Sequence, residues 1–259
     1  MAVKPVIARF LYPQSLRQLT RGRGWNSELT GFLLPFARQD YFYKEYDFCE
    51  DTISSDWTAS NSNGTNKANF AHVAGGECGT IAGATGETDN GGIGFIFDNV
   101  MFDAARNPGI HVRMKVDVVT DVAIEIGICD PPTAAYTICV TDVDTPTVAN
   151  GVTDGAFVMM DTDQTLKTFA LVTDGTTDAP AAVGLGGFAP TAATYFDVIL
   201  QVYANKAYAI INNLPVFSGG LTLGPDTGVK LQPVITVITR NTTTKLPTID
   251  LIRLWAERA

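Results

Sequence analysis

Residues 110–128 constrain this chain more tightly than any other stretch. Ile110, Val112, Met114, Val116 and Val118 alternate with His111, Arg113, Lys115 and Asp117. After Val119, Thr120 and Asp121, the pattern resumes: Val122, Ile124, Ile126 and Ile128 alternate with Ala123, Glu125 and Gly127. A period of two sorts side chains onto the two faces of a strand, whereas a helix repeats its apolar stripe about every 3.6 residues. The short polar link predicts an antiparallel hairpin with a dry side and a wet side. On the wet side Arg113 and Lys115 then oppose Asp121 and Glu125.

The same kind of text runs from Tyr41 onward. Further strands are predicted at residues 155–161, 168–173, 195–203, 207–211, 229–240 and 248–255, separated by Gly, Asn, Asp, Thr and Pro. Pro233 argues for an edge or a bulge in its strand. Asn205-Lys206 and Asn212-Asn213 read as tight turns. Residues 174–194 form a Gly/Ala/Thr-rich loop beyond the ~15 residues of ordinary connections, which marks a functional or contact element. Many strands, long excursions and no amphipathic helix predict an all-β fold: an antiparallel two-sheet sandwich from Tyr41 onward.

Residues 1–40 do not follow this pattern. Pro5, Pro13, Arg21-Gly22-Arg23-Gly24 and Pro35 interrupt every candidate helix, and no alternation persists. The chain has 18 Lys and Arg against 27 Asp and Glu, a net charge of −9. Its first 38 residues nevertheless carry Lys4, Arg9, Arg17, Arg21, Arg23 and Arg38 against Glu28 alone. A basic arm thus precedes an acidic body that repels nucleic acid and anionic membrane. The arm is too apolar for a solvated tail and too broken to build a core. It is expected to extend along a neighbouring protein surface, with Lys4, Arg9, Arg17, Arg21 and Arg23 meeting carboxylates. Phe10, Leu11, Phe32, Leu33 and Phe36 would fill apolar pockets there. An alternative places this stretch as one or two strands of the same domain. One Arg-Gly-Arg-Gly copy is weak as an RNA-binding repeat, and Pro5 and Pro13 deny the arm a membrane-surface helix.

Several chemistries lack their residues. The start breaks its apolar stretch at Pro5 and Arg9, too early for a secretory signal, so synthesis in a cytoplasm is expected. Cys49, Cys78, Cys129 and Cys139 form no CxxC pair, and with His72 and His111 alone no zinc spacing can be assembled. The thiols are expected to be reduced and buried as small hydrophobes. The histidines read as ordinary surface or half-buried residues. No Gly-x-Ser-x-Gly occurs, and Gly91-Gly92-Ile93-Gly94 lacks the helix that would aim N–H groups at phosphate, so it reads as a turn. Asn63-Gly64-Thr65 and Asn241-Thr242-Thr243 match the glycosylation pattern but read as loops.

The strand pattern over residues 41–259 resembles the concanavalin A-like (legume lectin and glucanase) jelly roll, in the divergent form of bacteriophage virion proteins. Five stretches carry the likeness. They are Tyr46-Asp47-Phe48 with Ser55-Asp56-Trp57; Asn90-Gly91-Gly92-Ile93-Gly94-Phe95; residues 195–202 leading into 207–213; Lys230-Leu231-Gln232-Pro233; and residues 249–254. Sandwich glucanases carry a Glu-x-Asp-x-Glu strand on the concave face, which sets nucleophile and acid ~5–5.5 Å apart. No such pattern occurs here. Asp121 with Glu125, separated by Ala123, comes nearest and reads as a surface ion-pair face, so no catalytic residue is expected. Lectins of this fold often bind calcium, and the resemblance implies it. Asp142-Val143-Asp144 and Asp161-Thr162-Asp163 each lack the full oxygen set, so no metal or cofactor is assigned. The expected function is that of a non-enzymatic structural virion protein, a capsid decoration (cement) protein assembled in the host cytoplasm. Its arm would bridge major capsid subunits or other virion subunits, and the protein would itself be a dimer or trimer. The alternative is a carbohydrate-binding, lectin-like module of a tail fibre or capsid surface, with Tyr136, Tyr203 and Tyr208 as platforms for sugar rings.

Overall fold

The computed structural model describes residues 41–258 except 51, 63, 74–78, 98–101, 141–147, 164–167, 175–182, 185–187, 204–205, 216–224 and 226–227. The arm, residues 1–40, lies outside the described residues, and so do all its expected contact residues. Tyr43–Ala256 make one compact body. The strands are β1 (Tyr41–Tyr46), β2 (Trp57–Asn61), β3 (Lys67–His72), β4 (Ile81–Thr85), β5 (Gly92–Phe97), β6 (Phe102–Asp103), β7 (Gly109–Val116) and β8 (Val122–Cys129). They continue as β9 (Asp154–Asp161), β10 (Thr168–Asp174), β11 (Val183–Gly184), β12 (Phe196–Tyr203), β13 (Lys206–Ile211), β14 (Leu214–Pro215), β15 (Lys230–Thr239) and β16 (Pro247–Glu257). A single 3-10 turn at Ala104–Arg106, capped by the Asp103 carboxylate, is the one helical piece among the described residues.

The strands form two eight-stranded sheets. Sheet A runs β14-β13-β12-β7-β16-β4-β3, with β1 on β16; sheet B runs β11-β10-β9-β8-β15-β5-β2, with β6 on β15. The expected antiparallel jelly-roll sandwich is therefore present. The expected hairpin is not. β7 pairs with β12 and β16 in sheet A, while β8 pairs with β9 and β15 in sheet B. Residues 117–121 carry the chain across the rim of the sandwich, with Asp121 in the left-handed region (φ 50°). The inward sets of β7 and β8 meet across the interior instead of lying side by side. Ile110, Val112, Met114 and Val116 face Val122, Ile124, Ile126 and Ile128, and every one is fully buried. Alternation fixes which side chains share a face, but it does not say whether the next strand is a neighbour or an opposite.

One end of the interior is aromatic. The Trp57 ring stacks on Phe95 at 4.5 Å and 4°, and Phe97 and Phe70 pack edge-on or tilted around the pair. Trp57 reaches this position because β2 pairs with β5 in the register Trp57↔Phe97, Ala59↔Phe95. Pro233 departs from expectation, since β15 is an interior strand. On its β5 side, β6 pairs as far as Leu231 and β5 pairs from Val234 onward, so Pro233 falls in the gap between the two partners. A residue without an N–H fits there. Asn212 and Asn213 turn β13 into β14 with φ of 49° and 69°, as a tight turn demands. Asn205 lies outside the described residues, and Lys206 opens β13. The 174–194 excursion contains β11, paired with β10.

The aromatic stack yields a prediction. Trp57→Ala removes the largest ring from a packed end and leaves a cavity. The expected loss is about 3–5 kcal/mol, read from the midpoint of urea-induced unfolding.

Candidate functional site

Register defines the outer face of sheet B, the face turned away from sheet A. Glu125 on β8 lies beside Met159 of β9 and Thr236 of β15, and Gly127 lies beside Phe157 and Val234. Gly94 and Ile96 of β5 extend the same face through Thr236 and Val234. Glu125 and Thr236 bring polar groups to its centre, and Asp161, Gln232, Thr58 and Ser60 lie farther out on the same face. β8, β9 and nearly all of β15 are buried at every position, so both faces of these strands are out of solvent. The cover is the chain's own segment, residues 130–140 and 148–152. Ala135, Ile138, Cys139, Val140 and Val152 pack in one cluster with Ile96, Ala123, Cys129, Phe157, Met159, Val234 and Ile238.

Polar contacts pin the cover down. Cys139 N–H donates to the Glu125 carboxylate (2.9 Å to Oε2, 3.0 Å to Oε1), and Val140 N–H donates to Oε2 at 3.0 Å. Thr236 Oγ1 donates to the Ala135 carbonyl at 2.8 Å. Within the cover, Asn150 Nδ2 donates to the carbonyls of Ala134 (2.7 Å) and Thr137 (2.8 Å). The sheet beneath is built to be approached. A Cβ on Gly94 would lie 1.9 Å from the Ala135 carbonyl oxygen, and one on Gly92 2.0 Å from that of Tyr136. The glycine motif expected to be a turn therefore belongs mostly to β5, where missing side chains let the cover touch the sheet. Phe157 lies over Gly127 and Gly155 in the same way.

Glu125 is thus not on a wet face opposite Arg113 and Lys115. It is fully buried. Arg113 instead pairs with Asp250 at 3.0 Å and, with Lys115, lies over the Tyr195 ring. Asp121 accepts from Asn241 Nδ2. The reason is topological: β7 and β8 occupy different sheets, so their polar faces point in opposite directions. Burial pushes the Glu125 carboxyl up to about 7, outweighing the N–H groups that favour its charged form.

Asp161 is a second carboxylate on this face, since it pairs with Ala123 in register. It is fully buried, and its Oδ2 accepts from Arg240 Nε (3.0 Å) and Nη2 (2.5 Å), while Oδ1 accepts from Asp163 N–H. Both oxygens are engaged and a guanidinium occupies the cation position, so Asp161 does not fit a calcium site. Asp142 and Asp144 lie outside the described residues. Among the described residues no group of His, Cys, Asp and Glu is arranged to hold a metal ion.

The expected sugar platform divides between layers. Tyr136 is half-buried in the cover over sheet B. Tyr203 and Tyr208 are half-buried on the outer face of sheet A, diagonal neighbours through the pairs Gln201↔Tyr208 and Tyr203↔Lys206. Beside the Arg113–Asp250 pair, that face holds two further polar contacts. His111, expected near the surface, is buried and shares a hydrogen bond of 2.8 Å with Asp197. Arg253 Nε and the Tyr43 hydroxyl both donate to Glu45 Oε2, at 2.7 and 2.6 Å. Burial would raise the Glu45 pKa, but these two donors outweigh it and hold the carboxyl low. At the opening motif, Asp56 gathers Tyr46, Ser54 and Lys44 on one oxygen.

The clamp predicts a pH dependence. The folded chain keeps the Glu125 proton up to about pH 7, whereas an ordinary glutamate releases it near 4.5. The Glu125 contribution to stability is therefore complete at acid pH and is lost as pH rises from about 4.5 through 7. Glu125→Gln turns an amide N–H toward backbone donors, with an expected cost of about 1–3 kcal/mol. It should also remove this slope, read as the wild-type minus variant difference in urea unfolding across the same pH range.

No family model and no curated protein matches the sequence. Solved structures do match. A protein of unknown function from Shewanella oneidensis MR-1 aligns at 14% identity over 92% of this chain and 99% of its own, with a TM-score of 0.55. The carbohydrate recognition domain of Emp47p aligns at 9% identity over 91% and 100%, with a TM-score of 0.51. A Bacillus licheniformis β-glucanase aligns at 9% identity over 83% and 97%, with a TM-score of 0.53. At these identities the likeness is one of fold: the chain has the concanavalin A-like jelly roll that lectin domains and glucanases share.

Proposed function

We propose that this chain is a non-enzymatic structural virion protein, a capsid decoration protein whose basic arm attaches an acidic jelly-roll body to neighbouring shell subunits. The observation that carries this reading is the filled outer face of sheet B. In a glucanase-type sandwich the corresponding chemistry needs two carboxyls facing a substrate ~5–5.5 Å apart. Here Glu125 holds backbone N–H groups under a cover, and Asp161 is locked to Arg240. The body's residues are spent on rigidity rather than on an open cleft. The charge asymmetry supports attachment through the arm, since a lattice of sites multiplies modest individual affinities.

A second reading, carbohydrate binding, is favoured by the adjacent Tyr203 and Tyr208 on sheet A and by the likeness to the Emp47p carbohydrate recognition domain. It places the sugar on sheet A, because the outer face of sheet B is closed.

Co-sedimentation with virion shells assembled without the protein tests the first reading. The full chain should add saturably, and deletion of residues 1–38 should weaken addition at least ~100-fold. Unchanged affinity of the truncated chain would sink the attachment role. Saturable glycan binding by the full chain, abolished by Tyr203→Ala with Tyr208→Ala, would put the second reading first. Release of reducing sugar from β-glucan would overturn both.

A further inference from the structure

The run that opens the body encloses a cavity that neither reading of the function employs. Its walls come from residues 44–56, between the middle of β1 and the start of β2, and it holds about 240 Å³. That is below the ~300 Å³ at which small-molecule sites begin, so it suits a single side chain. Four of the lining side chains are carboxylates, those of Glu45, Asp47, Glu50 and Asp56, against the one ammonium of Lys44. Its donors are largely committed: Lys44, Tyr46 (2.8 Å) and Ser54 (3.0 Å) all give to Asp56 Oδ2. Arg253 and Tyr43 likewise give to a single oxygen of Glu45, Oε2. Among the described residues Asp56 Oδ1, Glu45 Oε1 and Glu50 accept no hydrogen bond, and Asp47 takes only the Cys49 N–H, at 3.3 Å. What the cavity offers is acceptors and negative charge, so it calls for an occupant that is cationic and rich in donors. Among the described residues no three of its acids are arranged to hold a metal ion. A guanidinium, planar and with five donors, can meet several separate carboxylates at once. Tyr46 and Phe48 give its methylene stem an apolar wall.

We propose that this cavity receives an arginine of the Arg21-Gly22-Arg23-Gly24 stretch from a second copy of the chain, so that two copies exchange arms. The proposal rests on the reading of residues 1–40 as an arm that attaches to neighbouring subunits, and it names one surface which that arm meets. Three observations select the occupant. The first is charge: Lys4, Arg9, Arg17, Arg21, Arg23 and Arg38 stand against Glu28 alone in the first 38 residues, and the acid excess lies in the body. The second is local: Gly22 and Gly24 put no side chain on either side of Arg23, so the backbone there can approach the cavity closely. The third is reach. Arg21 lies twenty residues before Tyr41, where β1 begins, and that length of chain spans up to ~70 Å when extended, enough to meet a neighbouring body. Reciprocal exchange fills both cavities and so closes the assembly at two copies.

The test is sedimentation velocity of the full chain over a range of protein and salt concentrations. The expected species is a dimer whose dissociation constant rises with salt, since the contact joins charges near the surface. Arg21→Gln with Arg23→Gln should raise that constant at least ~10-fold, and Asp47→Asn with Glu50→Gln should do the same. Asp47 and Glu50 are exposed, and replacing them spares the contacts of Asp56 and Glu45; an unchanged midpoint of urea unfolding verifies the fold. Combining both pairs should weaken association no further than either pair alone, as for groups that meet. Chains carrying Arg21→Glu and Arg23→Glu should be monomeric alone, and should associate when mixed with chains carrying Asp47→Lys and Glu50→Lys. A monomer at every concentration, a dimer indifferent to Asp47 and Glu50, or additive effects of the two pairs would overturn the exchange. Shell co-sedimentation keeps the two readings apart. Addition to shells that persists without residues 1–38 defeats attachment by the arm, whereas arm-dependent addition by a chain that is always monomeric in solution defeats the exchange alone.

Discussion

Glu125 sits at the centre of sheet B with no access to solvent, and a carboxyl in that position costs several kcal/mol unless donors meet it. The N–H groups of Cys139 and Val140 are those donors, so the path of the cover around them is tied to one side chain on β8. Other features follow from that tie. Gly92 and Gly94 have no side chains because the cover's carbonyls lie where Cβ atoms would be. Thr236 supplies a hydroxyl where another carbonyl needs a donor. Phe157 lies flat over Gly127 because the space above it is closed. Each is a local choice that makes sense only with the cover in place, and such agreement among separate choices marks a unique native arrangement.

The two sheets are consequently unequal. Sheet B is dry on both faces through β8, β9 and β15, and behaves as the centre of a three-layer body in which the third layer is irregular chain. Sheet A keeps charged and aromatic groups on its outer face: His111 with Asp197, Arg113 with Asp250, Arg253 with Glu45, and the tyrosines of β12 and β13. An aqueous ligand meets the second kind of surface more readily than the first, because polar groups there need less rearrangement to exchange partners. The outer face of sheet B is taken up by the chain's own cover, whereas the outer face of sheet A keeps its polar groups near the surface.

Much of this was legible in the residues. The strands lie where the alternation put them, to within a residue or two at their ends for β9, β12, β13 and β16. The Asn212-Asn213 turn was written in residues that tolerate positive φ. The candidate site was not legible. Glu125 on an alternating strand looks like any surface acid, since a polar residue at every second position is the ordinary signature of a wet face. The signal that existed was compositional: Ala123, Gly127 and Cys129 share the Glu125 face, and three small, uncharged residues make a poor solvent surface. The glycines at 92 and 94 said the same from β5.

The sequence by itself determined the class of fold, the side-chain sets on its alternating strands, the Asn212-Asn213 turn, and the absence of a Glu-x-Asp-x-Glu strand, because these depend on local periodicity and conformational preference. Tertiary structure alone decided that the strands at 109–116 and 122–129 lie across the sandwich from each other, and that Glu125 is sealed beneath the segment that carries Cys139 and Val140. It also decided that Asp161 belongs to Arg240. Those outcomes depend on which surfaces find each other after the chain has crossed from one sheet to the next. The free energy that selects them, desolvation of a carboxyl and burial of apolar faces, exists only between segments far apart along the chain.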